Sequence, residues 1–198
     1  MADMNEVKYE ETVLITGGSG LTGRYITSAL LGNGFRVVHL STRNSSFGKV
    51  RVHRWSPGEG ILDPSVLEDA DHIIHLAGAN VGEKRWTRAR KNEIMTSRTA
   101  SARLIFETAI KEGFRFKSFI SSSASGYYGT VNTGKIFSED DRPGDDFLAM
   151  VGRQWEAEAD RFSSIASRVV KIRTSVVLTG REGPSRNWSD PPVLVFSR

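Results

Sequence analysis

Four glycines lie close together near the start of the chain, at positions 17, 18, 20 and 23. They follow an apolar run at residues 13–15 and precede a segment with a helical pattern. Glycine permits positive φ angles and lets backbone N–H groups approach a phosphate, and a helix N-terminus adds partial positive charge. A glycine-rich turn between a strand and a helix therefore predicts a site for the diphosphate of a dinucleotide. The alternative is a tight turn without a ligand. The residues predicted to bind the cofactor here are Thr16, Gly17, Gly18, Ser19, Gly20, Leu21, Thr22, Gly23 and Arg24.

The end of the second predicted strand indicates which dinucleotide would bind. Sites for NAD usually place an acidic residue there, about 20 residues after the glycines. This chain has Ser41, Thr42 and Arg43 instead, and its first acidic residue after the turn is Glu59. Arg43 would attract a 2′-phosphate that a carboxylate would repel, so Thr42 and Arg43 favour NADP(H) over NAD(H). A solvated surface charge is the alternative interpretation of Arg43.

The elements that must position these residues alternate along the chain between strand and helix. Strands separated by helices predict parallel βαβ units, and therefore an α/β fold with a doubly wound sheet of Rossmann type. Apolar runs and alternation predict strands at residues 12–16, 35–40, 50–55, 71–77, 116–121 and 168–174. Helical spacing and breaker residues predict helices at residues 21–32, 64–69, 87–111 and 145–163.

The composition narrows the function classes. The chain has 198 residues and a formal net charge of +4. It contains no cysteine, which excludes disulfides and thiolate chemistry. Its longest apolar runs fall far short of the about 18 residues of a membrane span, and its start lacks the pattern of a signal peptide, so a cytoplasmic protein without a membrane partner is expected. The four histidines lie on predicted strands without metal-ligand spacing, so we predict no metal.

A basic cluster at residues 85–91 (RWTRARK) leaves three interpretations open. Arginines beside an aromatic side chain can bind nucleic acid. The cluster could also attract an anionic substrate at the rim of a cleft, or be a solvated helix face. We favour a small-molecule substrate and no nucleic acid.

Three motifs together resemble the extended or atypical short-chain dehydrogenase/reductase superfamily. They are TGGSGLTG at residues 16–23, HLAG at 75–78 and SSSASGYYG at 121–129. The segments at 85–91, 97–98, 126–129 and 143–148 resemble one branch, the NAD-dependent epimerase/dehydratase-like epimerase family. The resemblance runs from about residue 12 to Thr179 and implies a dinucleotide bound along the strand tips. It places Leu76, Ala77 and Gly78 on the ribose and nicotinamide side and Ser121 and Ser122 near the cofactor. Ser122 and Ser123 correspond to the family's serine position, which would hydrogen-bond a substrate hydroxyl or carbonyl.

The resemblance also implies a Tyr-x-x-x-Lys pair, which this chain lacks. Aligned on the segment WEAE, the tyrosine position holds Met150 and the lysine position holds Gln154. Tyr127 and Tyr128 are the nearest replacements, although both could simply pack over the pocket. With Ser123 they are the candidates for catalysis. The function expected is hydride transfer on a sugar-nucleotide-like or other hydroxyl or carbonyl substrate. The alternative is a non-catalytic NADP(H)-binding protein, a redox sensor or an inactive truncated isoform.

The end of the chain departs from this resemblance. We expect residues 1–179 to form the NADP(H)-binding domain and residues 180–198 an irregular tail, with two prolines that disfavour a helix. The family's smaller C-terminal substrate domain would then be largely absent, as in a C-terminally truncated member. Apolar surface left uncovered would favour a homo-oligomer.

Overall fold

The computed structural model describes residues 11–43, 47–48, 50–130 and 134–177. The predicted tail at residues 180–198 lies outside the described residues. Within them, strands and helices alternate as the sequence predicts. The strands are β1 (Thr12–Thr16), β2 (Arg36–Ser41), β3 (Arg51–Arg54), β4 (His72–His75), β5 (Ser118–Ala124) and β6 (Val169–Thr174). The helices are α1 (Leu21–Gly32), α2 (Ser65–Glu68), α3 (Arg88–Glu112) and α4 (Phe147–Asp160).

All six strands are parallel and form one sheet in the order β3-β2-β1-β4-β5-β6. This order confirms the predicted doubly wound Rossmann-type fold. The order reverses between β1 and β4, so the loops that follow these strands diverge to opposite sides. In such sheets a ligand binds in the crevice beyond the carboxyl ends of the strands at that point.

Alternating side chains of the central strands bury both faces of the sheet. Leu14 and Ile73 face a large core that includes α2, α3 and the end of α4. In this core the rings of Phe119 and Phe162 stack with centroids 3.5 Å apart. Ile15 faces the opposite core, against which α1 packs. Because near-continuous apolar strands are buried on both faces, the sheet is a rigid base for the loops at its carboxyl edge.

One boundary difference concerns β5, which ends at Ala124 rather than at the predicted residue 121. Its serines pair with β6 up to the register Ala124↔Thr174. Ser121 and Ser123 are buried, and their hydroxyl groups have hydrogen-bond acceptors. Polar residues therefore extend the strand beyond the apolar run from which its range is predicted. In the described part of the chain, no helix combines the length and apolar character needed to cross a membrane.

Candidate cofactor cleft and reaction site

A cleft of about 640 Å³ opens at the carboxyl ends of β1, β2 and β4. Residues from the glycine turn, from the end of β2 and from the loop after β4 contribute to its walls, so the fold brings three separate predicted segments together. The predicted cofactor residues that line it are Gly17, Ser19, Gly20, Thr42, Arg43, Leu76, Ala77 and Gly78.

The positions of the turn require glycine for different structural reasons. Gly17 has φ +71°, and a Cβ there would lie 3.0 Å from the backbone of Leu76. A Cβ on Gly18 would lie 2.5 Å from the ring of His39, and one on Gly23 would lie 2.6 Å from the Gly17 carbonyl oxygen. Gly20 is the N-cap of α1 and offers no side-chain hydrogen bond to its first turn. The turn is therefore tightly packed against its own backbone, Leu76 and His39, while the N-terminus of α1 keeps backbone N–H groups for an anion.

Thr16 supports the cleft from behind rather than lining it. Its buried hydroxyl accepts hydrogen bonds from the backbone N–H groups of Leu76 (3.2 Å) and Ala77 (3.1 Å) and pairs with Nδ1 of His75 (2.9 Å). Burial lowers the pKa of His75 to about 4, so this histidine is neutral at physiological pH. Thr16 thus fixes the end of β4 to the end of β1. The other predicted residues of this segment that do not line the cleft are Gly18, Leu21, Thr22, Gly23 and Arg24.

Arg43 lies on the β2 side of the cleft with an exposed side chain. Its backbone N–H donates to Ser41 Oγ over 3.1 Å, which fixes the turn that carries it. Trp55 is buried and lines the same cleft, and so does Pro57. Neither of these two residues is among those predicted from the sequence. The sequence signal that could have identified Trp55 was its position at the carboxyl end of β3, the strand next to β2, after which Arg43 lies.

The β4 side of the cleft is fastened to α3 by three side chains that sequence reasoning missed. Ser97 Oγ accepts from Ala79 N over 2.9 Å, and Arg98 donates to the Ala79 carbonyl over 3.1 Å. Arg90 is buried and donates to the Asn80 carbonyl. All three lie on the inward face of α3, and their helical spacing was the signal that could have identified them.

The carboxylates of the described cleft lining belong to the same β4 side. Glu93 lies 2.8 Å from Arg90 Nη1, and Glu83 lies 3.2 Å from Arg90 Nη2. These ion pairs raise the pKa of Arg90, chiefly through the hydrogen bond with Glu93. The described lining on the Arg43 side contains no carboxylate.

The basic cluster at 85–91 does not act as one surface. Arg90 points inward, toward the loop after β4, whereas Arg88 and Lys91 line a separate groove of about 770 Å³ with Phe147 and Met150. The Lys91 ammonium lies 5.0 Å from the centroid of the Phe147 ring. The cluster therefore splits between the two sides of the first turns of α3.

A second group of polar side chains lies between β5, β6 and α4. The buried Ser123 hydroxyl donates to Glu156 Oε1 over 2.6 Å. Arg173 binds the same carboxylate through Nε (2.8 Å) and Nη2 (2.9 Å). Burial raises the pKa of Glu156, but the hydrogen bonds from Arg173 and Ser123 outweigh it and leave the pKa below its usual range. Glu156 is therefore a carboxylate in a two-partner network. The sequence did not point to it, because a glutamate on a helix ordinarily belongs to a solvated face.

The two candidate tyrosines have different environments in the 3₁₀-helical turn Ser125–Tyr128. Tyr128 is buried, and its hydroxyl donates to the Ser138 carbonyl (2.8 Å) and accepts from Arg173 Nη1 (2.8 Å). The ring of Tyr127 lies 3.6 Å from the Arg173 guanidinium carbon. Within the described part of the chain, the Tyr127 hydroxyl has no hydrogen-bond partner. Tyr128 is thus committed to structure, whereas the Tyr127 hydroxyl remains available.

In the described part of the chain, the hydroxyl groups of Ser121 and Ser122 hydrogen-bond only to the carbonyl of the next residue. The Ser121 hydroxyl donates to the Ser122 carbonyl over 3.0 Å, and the Ser122 hydroxyl lies 3.3 Å from the Ser123 carbonyl. Neither residue lines the cleft at the ends of β1, β2 and β4.

The two positions aligned on WEAE, Met150 and Gln154, are both exposed on α4. The residues that face the 3₁₀-helical turn are Leu148, which packs against Gly126, and Gly152, where a Cβ would lie 3.3 Å from Tyr127. The sequence of α4 contains neither tyrosine nor lysine in any register. The absence of the usual pair is therefore independent of the alignment, and Tyr127 packs against the glycine.

Comparison with known proteins identifies the family. The model of the NAD dependent epimerase/dehydratase family matches residues 13–147. The chain belongs to this family. Its relatives include an epimerase family protein of Mycobacterium leprae, 30% identical over 180 residues, and one of Staphylococcus haemolyticus, 33% identical over 180 residues. The matches cover 91% and 90% of this chain but 57% and 59% of the relatives, so the chain spans little more than half of their length.

Solved structures of the family superpose on the same fold. A nucleoside-diphosphate sugar epimerase from Corynebacterium glutamicum matches with a TM-score of 0.71 and 34% identity, over 87% of this chain and 35% of that chain. A human epimerase family protein solved with NADPH matches with a TM-score of 0.69 and 25% identity, over 87% of this chain and 56% of that chain. Other neighbours of the fold were solved with NAD. These matches support a Rossmann-type fold of the epimerase family for this chain.

Proposed function

We propose that this chain is an NADP(H)-binding oxidoreductase of the epimerase family that acts on a small hydroxyl or carbonyl substrate. The observation that carries the proposal is the cleft, in which a glycine turn and the N-terminus of α1 meet the end of β2 at Arg43. The tight approach of Gly17 and Gly23 to neighbouring backbone leaves the α1 N-terminus open for a diphosphate. When bound, the nicotinamide would supply or accept a hydride.

Arg43 supports the choice of NADP(H). It lies on a side of the cleft whose described lining has no carboxylate to repel a 2′-phosphate. The human relative solved with NADPH is consistent with this choice, although neighbours solved with NAD share the fold. The likeness to a nucleoside-diphosphate sugar epimerase supports a sugar-nucleotide-like substrate.

A titration of the purified chain tests the cofactor assignment. We expect the fluorescence of NADPH to increase when it binds. NADH should bind with an affinity at least about tenfold lower. Arg43→Asp should remove this preference, because it places a carboxylate where the 2′-phosphate would bind. Arg168→Asp is the matched control, since it makes the same charge change at an exposed position beside the other end of the sheet. Equal binding of both cofactors, or an unchanged preference in Arg43→Asp, would refute the assignment.

Tyr127 is the group proposed to move the proton. In the direction of reduction the carbonyl carbon gains a hydride and the carbonyl oxygen gains the proton of the Tyr127 hydroxyl; oxidation reverses both transfers. Tyr127 is preferred over Tyr128 because the Tyr128 hydroxyl already has a donor and an acceptor. It is preferred over Ser123 because that hydroxyl donates to Glu156.

A substrate panel with Tyr127→Phe tests this role. On any carbonyl compound that the chain reduces with NADPH, we expect the variant to lower kcat by about 100-fold or more while the Kd for NADPH is unchanged. Tyr25→Phe, on the exposed face of α1, is the control. Wild-type turnover in Tyr127→Phe would exclude the role.

A second candidate function is a non-catalytic NADP(H)-binding protein. The observation that favours it is the lack of tyrosine and lysine in α4, together with the commitment of Ser123 to Glu156. Tight NADPH binding without turnover across sugar nucleotides and simpler carbonyl compounds would support this candidate over the oxidoreductase.

A further inference from the structure

Arg98 is a buried cation without a carboxylate partner in the described part of the chain. Only 9% of its surface is exposed, and it lies on the inward face of α3. Its Nη1 donates to two backbone carbonyls, of Ala79 (3.1 Å) and Ile94 (2.9 Å). Its guanidinium carbon lies 4.9 Å from the Trp155 ring centroid. Carbonyls and an aromatic ring ease the burial of this charge but do not cancel it.

The charge persists at neutral pH. Burial, with a smaller effect of the like charge of Arg90, lowers the pKa of Arg98 to about 10. Even so, the guanidinium stays protonated throughout the physiological range. Arg98 therefore provides a permanent positive charge in the interior.

Arg98 lies directly behind the wall of the cleft at Gly78. A Cβ on Gly78 would lie 2.9 Å from the guanidinium carbon of Arg98. Gly78 lines the cleft and is exposed to it, so no side chain separates the cation from a ligand at this point. Charges interact more strongly across such a low-dielectric wall than across water.

The fold indicates which end of a dinucleotide would lie there, and this step rests on the proposed function. The glycine turn follows β1, Arg43 follows β2 on one side, and Gly78 follows β4 on the other. With the diphosphate at the glycine turn and the adenosine end toward Arg43, the nicotinamide end lies toward Gly78.

The two redox forms of the cofactor differ in charge at this end. Oxidation of NADPH removes a hydride, that is, two electrons and a proton, and leaves the nicotinamide ring with one additional positive charge. We propose that Arg98 disfavours this charged ring and makes the cleft bind NADPH more tightly than NADP⁺.

The nearby carboxylates do not cancel this effect. Glu83 and Glu93 both pair with Arg90, and each side chain is 56% exposed. Solvent screens exposed charges far more than buried ones. Arg90, Glu83 and Glu93 together carry one formal negative charge, but it lies on exposed carboxylates, so the buried charge of Arg98 is screened less.

The test compares the Kd values of NADPH and NADP⁺ in variants of Arg98. In Arg98→Gln and Arg98→Met we expect the ratio Kd(NADP⁺)/Kd(NADPH) to fall about tenfold from its wild-type value, equivalent to about 1.4 kcal/mol. Arg98→Lys keeps the charge and should keep most of the ratio. Glutamine can still donate to the Ala79 carbonyl, so the Gln and Lys variants decide the outcome if Arg98→Met does not fold. Lys111→Met is the control, because it removes a charge from an 81% exposed side chain of the same helix.

The ratio separates an electrostatic role from a structural one. If Arg98 only holds Ala79 in place, its variants weaken both redox forms equally and leave the ratio within about twofold, which would overturn the inference. If wild-type protein binds neither form, the proposed function fails and the inference fails with it. Binding of both forms with an unchanged ratio refutes the inference alone.

Discussion

Gly23→Ala sets two opposing effects against each other in the helix that follows the glycine turn. Gly23 belongs to α1, and alanine in a helix interior is ordinarily favoured over glycine by about 1 kcal/mol. Here, however, the new Cβ would lie 2.6 Å from the Gly17 carbonyl oxygen, 2.6 Å from Gly18 Cα and 2.8 Å from the Gly18 carbonyl carbon. All three are backbone atoms, so no flexible side chain can move aside. Overpacking of this kind costs about 1–3 kcal/mol or more.

We therefore expect Gly23→Ala to lower the free energy of unfolding by about 2 kcal/mol and the Tm by about 4–8 °C. Because the turn must move, its affinity for NADPH should fall as well. Gly32→Ala is the matched control, since Gly32 ends the same helix with no atom within 4 Å of the added Cβ. That variant should be neutral or more stable by up to about 1 kcal/mol.

Urea unfolding and NADPH titration of the two variants check the reasoning. A Gly23→Ala protein as stable as Gly32→Ala, with wild-type affinity for NADPH, would show that the turn tolerates a side chain. Close packing around position 23 would then not be the reason for glycine there.

Three further substitutions test the support of the site and the core. Glu156→Gln should cost about 3 kcal/mol at pH 7, because Arg173 loses its buried counter-ion. Because the folded-state pKa of Glu156 is lowered, the ion pair stabilises the folded protein above the unfolded pKa of about 4.3, and this stabilisation is lost as the pH falls. In urea unfolding, the difference in the free energy of unfolding between variant and wild type should therefore narrow below about pH 4. Phe119→Ala removes a ring stacked on Phe162 and should cost about 3–5 kcal/mol in the same assay. Asp146→Ala removes the N-cap of α4 and should lower the Tm, at a cost of about 1 kcal/mol.

The fold could be predicted from sequence because its central strands are buried on both faces. Residues 13–15 are apolar without interruption, and the glycine turn behind them marks the start of a βαβ unit. Local patterns of this kind fix the type of each element and, through parallel connections, the architecture. They do not fix an end such as that of β5, where Ser123 continues the strand because Glu156 accepts a hydrogen bond from its hydroxyl across 33 positions of sequence.

Many of the residues that line the candidate cleft were among those predicted from the sequence, whereas the residues that support it were not. Arg43 and Gly78 stand next to strand ends, where a linear pattern suffices to place them. Arg98 and Glu156 look like ordinary helix charges in the sequence. Their burial depends on which face of α3 or α4 meets the sheet, and the register of that packing is a tertiary property. The i, i+4 spacing of Arg98 with Ile94 was the signal in the sequence that places it on the buried face.

The half-buried Arg173 and the buried Arg98 differ in whether a carboxylate neutralises them. Arg173 is neutralised by Glu156 and ties β6, α4 and the 3₁₀-helical turn into one unit around Tyr127. Arg98 has no such counter-ion in the described residues and lies behind the cleft wall at Gly78. The paired Arg173, next to the proposed proton donor, holds the geometry of its surroundings and adds little electric field. The unpaired Arg98, next to the proposed nicotinamide end, adds a positive field that would favour the neutral ring of NADPH over the charged ring of NADP⁺.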